Sequence, residues 1–227
     1  MQLVDGWLLR AATDLPFNRC NCAIALSDAP RGSIEEVEAF FARHRIPARV
    51  QVRDSMTALD ETLTARGYFI ESKTDVLVAP TSTVIDQSTR TGPAVTLHDE
   101  LDDEAIEMYG DVMGESAYIA DRIKAYGRMT RSLGPIAFAA TVGKVGIGFG
   151  IVERGWIGYY GIGTASHARR QGVSTAIMRA LTERAIEHDA TNAYLQVDHA
   201  NDAAQAMYAG LGFTRLYGYH YRARPPA

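Results

Sequence analysis

The chain is poor in most features that would place it in a specialised class. It has two cysteines, Cys20 and Cys22. A structural zinc site wants four ligands and a disulfide scaffold wants several pairs, so one Cys-x-Cys supplies neither. Both are expected to be free thiols in a reducing compartment. Prolines number 8, too few for a disordered chain. No apolar run approaches the roughly 18 residues that a membrane-crossing helix needs. The opening stretch, MQLVDGWLLRAATDLP, lacks the basic start and apolar centre of an export signal. A cationic surplus is also missing. The formal net charge is −4 and the pI is near 5.9, whereas broad nucleic-acid binding needs excess Lys and Arg to neutralise phosphates. The expectation is a cytoplasmic protein with no membrane and no nucleic-acid partner.

What is present is a globular composition, 47% hydrophobic and 22% charged over 227 residues. That suffices for one large domain or two small ones. Residues 81–93, TSTVIDQSTRTGP, are polar and aperiodic and read as a linker. They would divide a first domain, 1–80, from a second, 94–227. In the second, 94–98 reads as a strand, and 101–113 and 118–133 as helices. Residues 136–142, 145–153 and 156–164 read as strands rich in β-branched and aromatic residues. A helix over 173–188 follows, with Val173, Ile177, Ala180, Leu181 and Ala185 as its apolar stripe. Then come a strand, 193–197, a short helix, 202–211, and a final strand, 213–222. Asn201 suits the N-cap of that short helix and Gly212 its C-terminal turn. The order defines an α/β class with a mixed sheet.

The first segment holds a partial copy of the second. Residues 48–68, ARVQVRDSMTALDETLTARGY, lie beneath 193–213, AYLQVDHANDAAQAMYAGLGF, without a gap. Ala48, Gln51, Val52, Ala58 and Gly67 match identical residues at 193, 196, 197, 203 and 212. This points to an internal duplication of a strand–helix–strand unit.

The chemistry concentrates in two strings. The first is Arg169-Arg170-Gln171-Gly172-Val173-Ser174-Thr175, between a strand and a helix. Such a turn exposes several backbone N–H groups at a helix N-terminus, an anion site suited to a diphosphate. Gly172 lets phosphate approach closely, Ser174 is small enough to permit the same, and Arg169 and Arg170 add positive charge at the rim. The second string is Asn201-Asp202-Ala203-Ala204-Gln205-Ala206-Met207-Tyr208-Ala209-Gly210-Leu211-Gly212-Phe213.

Together these strings resemble the two signatures of the GNAT N-acetyltransferase superfamily. These are (Gln/Arg)-x-x-Gly-x-(Gly/Ala) for coenzyme A and the later Asn…Ala…Tyr…Gly-Phe pattern. Ser174 departs mildly from the first. The resemblance covers the C-terminal segment and implies a GNAT fold with a splayed central sheet. It implies acetyl-coenzyme A as cofactor and transfer of an acetyl group to the primary amine of a small metabolite by direct attack. A peptide or protein N-terminus, or acyl-coenzyme A binding without catalysis, are the alternatives. It further implies that Ile162, Gly163 and Thr164 lie along the pantetheine arm and that Asn201 contacts it. Tyr208 is implied as the proton donor to the departing thiolate. Asn201 and Tyr208, seven residues apart, return to one helix face roughly 10 Å apart along the axis. Glu115 and Tyr118 are candidate acceptor-binding residues, and a homodimer is compatible with the pattern. No metal is implied.

The general base is the missing part. The strand 156–164 has no carboxylate, and Gln196 stands where some relatives carry glutamate. Glu153, Asp198, His199, Glu115 or a water chain remain open. In the N-terminal copy Met56 replaces Asn201, Leu63 replaces Tyr208, and no glycine turn precedes the helix at 34–44. That half is expected to be a smaller, degenerate GNAT-like domain unable to bind coenzyme A.

Overall fold

The computed structural model describes residues 1–27, 29–88, 91–99, 103–114, 121–122, 124–125 and 136–225. The chain forms two compact units. Unit 1 is Met1–Asp75 with Asp198–Ala200 and Tyr217–Ala227; unit 2 is Val76–Val197 with Asn201–Leu216.

Unit 1 contains β1 (Gln2–Val4), β2 (Trp7–Leu9), β3 (Ala23–Ala25), α1 (Ile34–His44), β4 (Ala48–Arg53) and α2 (Thr57–Ala65). It also holds the start of β5 (Phe69–Pro80) and the end of β11 (Thr214–Arg224). Its sheet order is β1-β2-β3-β4-β11. The apolar stripe of α1, Ile34, Val37, Phe40 and Phe41, is buried against Val50, Val52, Leu59 and Leu63.

Unit 2 contains the rest of β5, α3 (Thr81–Gln87), β6 (Thr96–His98), α4 (Asp103–Met113), β7 (Ala137–Val142), β8 (Gly146–Glu153) and β9 (Trp156–Thr164). α5 (Val173–Ile186), β10 (Asn192–Asp198) and α6 (Asp202–Gly210) complete it. Its order is β5-β10-β9-β8-β7-β6. β6 to β9 are antiparallel neighbours, and β9 and β10 run parallel. α5 buries Val173, Ile177, Met178, Leu181 and Ala185 on the sheet. Glycines of β8 set how close it comes. A Cβ on Gly146 would lie 2.3 Å from Val173 Cγ1, and one on Gly148 2.8 Å from Ile177 Cγ2. Close packing thereby fixes where the first turn of α5 stands.

The mixed α/β class matches the reading of the sequence. The duplication is visible in detail. With 48–68 beneath 193–213, α2 (Thr57–Ala65) coincides end for end with α6 (Asp202–Gly210). Gly67 and Gly212 both take left-handed backbone, φ 80° and 84°. The Tyr68 N–H donates to Leu63 O at 3.0 Å as the Phe213 N–H donates to Tyr208 O at 3.1 Å.

Three boundaries differ from the sequence reading. Residues 81–87 of the expected linker are the helix α3, because Thr81 and Val84 face inward and are buried. Thr81 is held by its N–H to Thr191 O at 3.0 Å and its hydroxyl to Ala190 O at 3.1 Å. The unit boundary falls inside β5, ahead of residue 80. The C-terminal strand joins unit 1 through antiparallel pairing with β4, from Tyr219↔Arg53 to Arg224↔Ala48. Nearly all of the expected helix 118–133, with Glu115 and Tyr118, lies outside the described residues.

Candidate active site

β9 and β10 share four parallel rungs, from Asn192↔Trp156 to Leu195↔Tyr159. There the ladder stops. β9 runs on through Tyr160 to Thr164 and β10 through Gln196 to Asp198 with no further rung between them. On its other edge β9 stays tied to β8 as far as Gly146↔Thr164. A bulge interrupts that side: Gly148 stands opposite both Gly161 and Ile162, and Gly161 takes φ 58°. A bulge of this kind adds local twist and bends its strand. The sheet is therefore splayed, and the backbone of Ile162, Gly163 and Thr164 borders the cleft. A strand edge of this sort can pair with an extended chain laid along it. Gly163 is covered on one face by α4, where a Cβ would meet Met113 Sδ at 2.6 Å.

Beyond Thr164 a 3-10 turn (Ser166–Ala168) leads into the glycine turn. Arg170 and Gly172 take left-handed backbone, φ 61° and 76°. A Cβ on Gly172 would meet nothing within 4 Å, so the glycine serves the turn and leaves the space beside it clear. Gly172 is the N-cap residue of α5, and no side chain caps the helix. The first intrahelical bond is Ala176 N–H to Gly172 O at 2.9 Å. The N–H groups of Val173, Ser174 and Thr175 precede it at the positive end of the helix dipole, and no side chain caps them. Arg169, Arg170 and Gln171 are exposed around them, and Gln171 Nε2 donates to His167 O at 3.2 Å. Ser174 Oγ lies 2.8 Å from Thr164 Oγ1. The serine that departs from the signature thus ties the end of β9 to the first turn of α5, a contact that the sequence does not announce.

Asn201 is the N-cap of α6; its side-chain oxygen accepts from the Ala204 N–H at 3.1 Å. About two turns along the helix Tyr208 is buried, with its ring edge-on to Phe213 at 6.0 Å. Burial raises its phenol to about 12. It therefore keeps its proton throughout the neutral range, the state a proton donor requires.

The base candidates separate. Glu153 pairs with Trp156 across the β8–β9 ladder, at the opposite end of β9 from the cleft, and its carboxylate lies 3.7 Å from the Arg154 guanidinium. Asp198 Oδ1 accepts from the Ala200 N–H at 2.9 Å. His199 Nδ1 lies 2.8 Å from Oδ2 of Asp75, a buried carboxylate, and both belong to unit 1. Glu115 lies outside the described residues. Sequence reasoning missed Tyr160 and Tyr194, whose hydroxyls meet at 2.6 Å. The glycine at 158, beside both rings, is the one trace of that pairing in the sequence. Among the described residues no cluster of His, Cys, Asp and Glu could hold a metal, and no helix is long and apolar enough to cross a membrane.

A splayed α/β sheet, a glycine turn opening a helix and the Asn-to-Tyr helix define a GNAT-type N-acetyltransferase with a degenerate N-terminal half. The model of the family described as "Probable histone acetyltransferase Rv0428c C-terminal" matches residues 1–223, and the chain belongs to that family. YobR of Bacillus subtilis, named as an N-acetyltransferase, is 26% identical over 228 residues, spanning 97% of this chain and 91% of that protein. Among solved structures, a conserved Staphylococcus epidermidis protein of unknown function superposes with a TM-score of 0.74 at 14% identity, covering 100% and 94% of the two chains. A tandem GNAT protein from the clavulanic acid biosynthesis pathway superposes at 0.66 and 13%, covering 91% and 75%. At those identities the likeness is one of fold.

Proposed function

We propose that unit 2 transfers the acetyl group of acetyl-coenzyme A to the primary amine of a small metabolite. The observation that carries this is the end of the parallel ladder at Leu195↔Tyr159, beside a helix N-terminus that no side chain caps. The residues present fit the cofactor. The amides of Val173, Ser174 and Thr175 would hold its diphosphate, with Arg169 and Arg170 at the rim. The β9 edge from Ile162 to Thr164 would take the pantetheine arm, and Asn201 would meet it from the start of α6. When bound, acetyl-coenzyme A supplies an activated acetyl thioester. Tyr208, protonated across the neutral range, would supply the proton to the departing sulfur.

The test is thiol release from acetyl-coenzyme A across a panel of small amines, beside Tyr208→Phe. The variant is expected to lose about 100-fold in kcat while still binding coenzyme A. Unchanged turnover would remove Tyr208 as the donor. The family description names a histone acetyltransferase, which favours a second reading: transfer to lysine in a basic polypeptide. A basic histone-tail peptide in the same panel separates the two, since the small-metabolite reading predicts faster turnover of small amines.

A further inference from the structure

Side chains alternate along β9. Tyr159 faces α5, with its hydroxyl 2.6 Å from Thr182 Oγ1. Its neighbour Tyr160 therefore faces the other side of the sheet, the side on which α4 packs over Gly163. Tyr160 is also the first residue of β9 past the last parallel rung. Its hydroxyl meets that of Tyr194, whose partner in the ladder is Gly158, at 2.6 Å. The backbone makes room for this meeting. A Cβ on Gly158 would sit 2.6 Å from the Tyr194 hydroxyl and 2.9 Å from Tyr160 Cε2. The two rings stand at 90° with centroids 6.4 Å apart, and Trp156 braces Tyr194 edge-on at 6.3 Å. Both tyrosines are half-buried. Tyr208 belongs to the opposite face, through Phe213, whose ring also packs edge-on to Tyr159 at 6.0 Å.

We infer that the Tyr160–Tyr194 hydroxyl pair receives the attacking amine and carries off the proton it must lose; this rests on the acetyl-transfer reading above. In the transfer the nitrogen lone pair forms the C–N bond and the C–S bond breaks. The sulfur leaves with its electron pair and takes the Tyr208 proton. The nitrogen then holds one proton too many, and no side chain of β9 is a carboxylate or an imidazole. A phenol oxygen can accept a proton while passing its own to a bonded partner. One tyrosine of the pair takes the proton from nitrogen, the other releases one to water, and both end neutral. Tyr208 recovers its proton from water. Donor and acceptor of protons thus work from opposite faces of the splayed sheet.

The test uses Tyr160→Phe, Tyr194→Phe and the double variant, with kcat measured for the best amine of the panel. Calorimetry follows coenzyme A binding to the free enzyme and amine binding to the enzyme–coenzyme A complex. Each single variant is expected to lose about 10- to 100-fold in kcat and to bind the amine more weakly, while coenzyme A binding holds within about twofold. The double variant should be no worse than the poorer single one, because either change cuts the same relay. Wild-type kcat and amine binding in both single variants, or losses that multiply in the double variant, would overturn the relay and leave acetyl transfer standing. Absence of coenzyme A binding by the wild-type protein would instead overturn the reading beneath it.

Discussion

The N-termini of α1 and α5 make opposite use of the same problem. A helix begins with N–H groups that have no partner within it. α1 satisfies its own. Ser33 Oγ accepts from the Glu36 N–H at 3.2 Å, and Glu36 Oε2 accepts from the Ser33 N–H at 2.8 Å, a complete capping box. α5 starts at Gly172 with no side-chain cap. The rest of each repeat follows suit. Asn201 caps α6, whereas its counterpart Met56 is buried and forms no cap bond with α2. Tyr208 is matched by Leu63, fully buried. In unit 1 the parallel rungs of β3 and β4 include Ile24↔Gln51. Gln196, the residue matching Gln51, has no rung with β9. The half without the signature caps its first helix with its own side chains; the half with it starts α5 with no side-chain cap and leaves β9 unpaired with β10 beyond Tyr159.

Charging the uncapped turn of α5 should have the largest effect. Thr175→Glu, three residues on from Gly172 as Glu36 is from Ser33, sets a carboxylate where the diphosphate would lie and leaves the left-handed Gly172 untouched. Losing two charge-assisted bonds predicts coenzyme A affinity weaker by about 100-fold or more, measured by calorimetry. Unaltered affinity would break the comparison.

A smaller effect is expected in unit 1. The Asp60 carboxyl is held down to about 2, chiefly by the Arg222 guanidinium and then by His220, against an opposing burial effect. Arg222 donates to it at 2.7 and 2.9 Å. Because the folded value lies below the unfolded one, the stabilisation is present above about pH 4 and is lost as pH falls from there through about 2. Asp60→Asn should cost about 2 kcal/mol near neutral pH and make stability flatter across that acid window. Urea unfolding at several pH values checks this, and an unchanged acid profile would contradict it. Smallest of all, Ser33→Ala should cost about 1 kcal/mol of stability with coenzyme A affinity unchanged.

Much of this contrast is legible in the sequence because it is written in short spacings. Gly172, Asn201, Tyr208 and Gly212 each declare a local backbone need, and their counterparts Met56 and Leu63 declare its loss. What escaped depends on distant partners. Thr81–Gln87 looks polar, yet Thr81 finds carbonyls more than a hundred residues away. The pairing of residues 219–224 with β4 likewise has no local mark. Tyr160 and Tyr194 read as ordinary strand aromatics until the register places both beside Gly158.

Backbone amide resonances followed during a coenzyme A titration test the central claim most directly. Shifts centred on Val173, Ser174, Thr175 and Ile162 to Thr164, with Ser33 to Glu36 undisturbed, are the predicted result. A titration that leaves the first turn of α5 unmoved, or that moves α1 instead, would contradict the account.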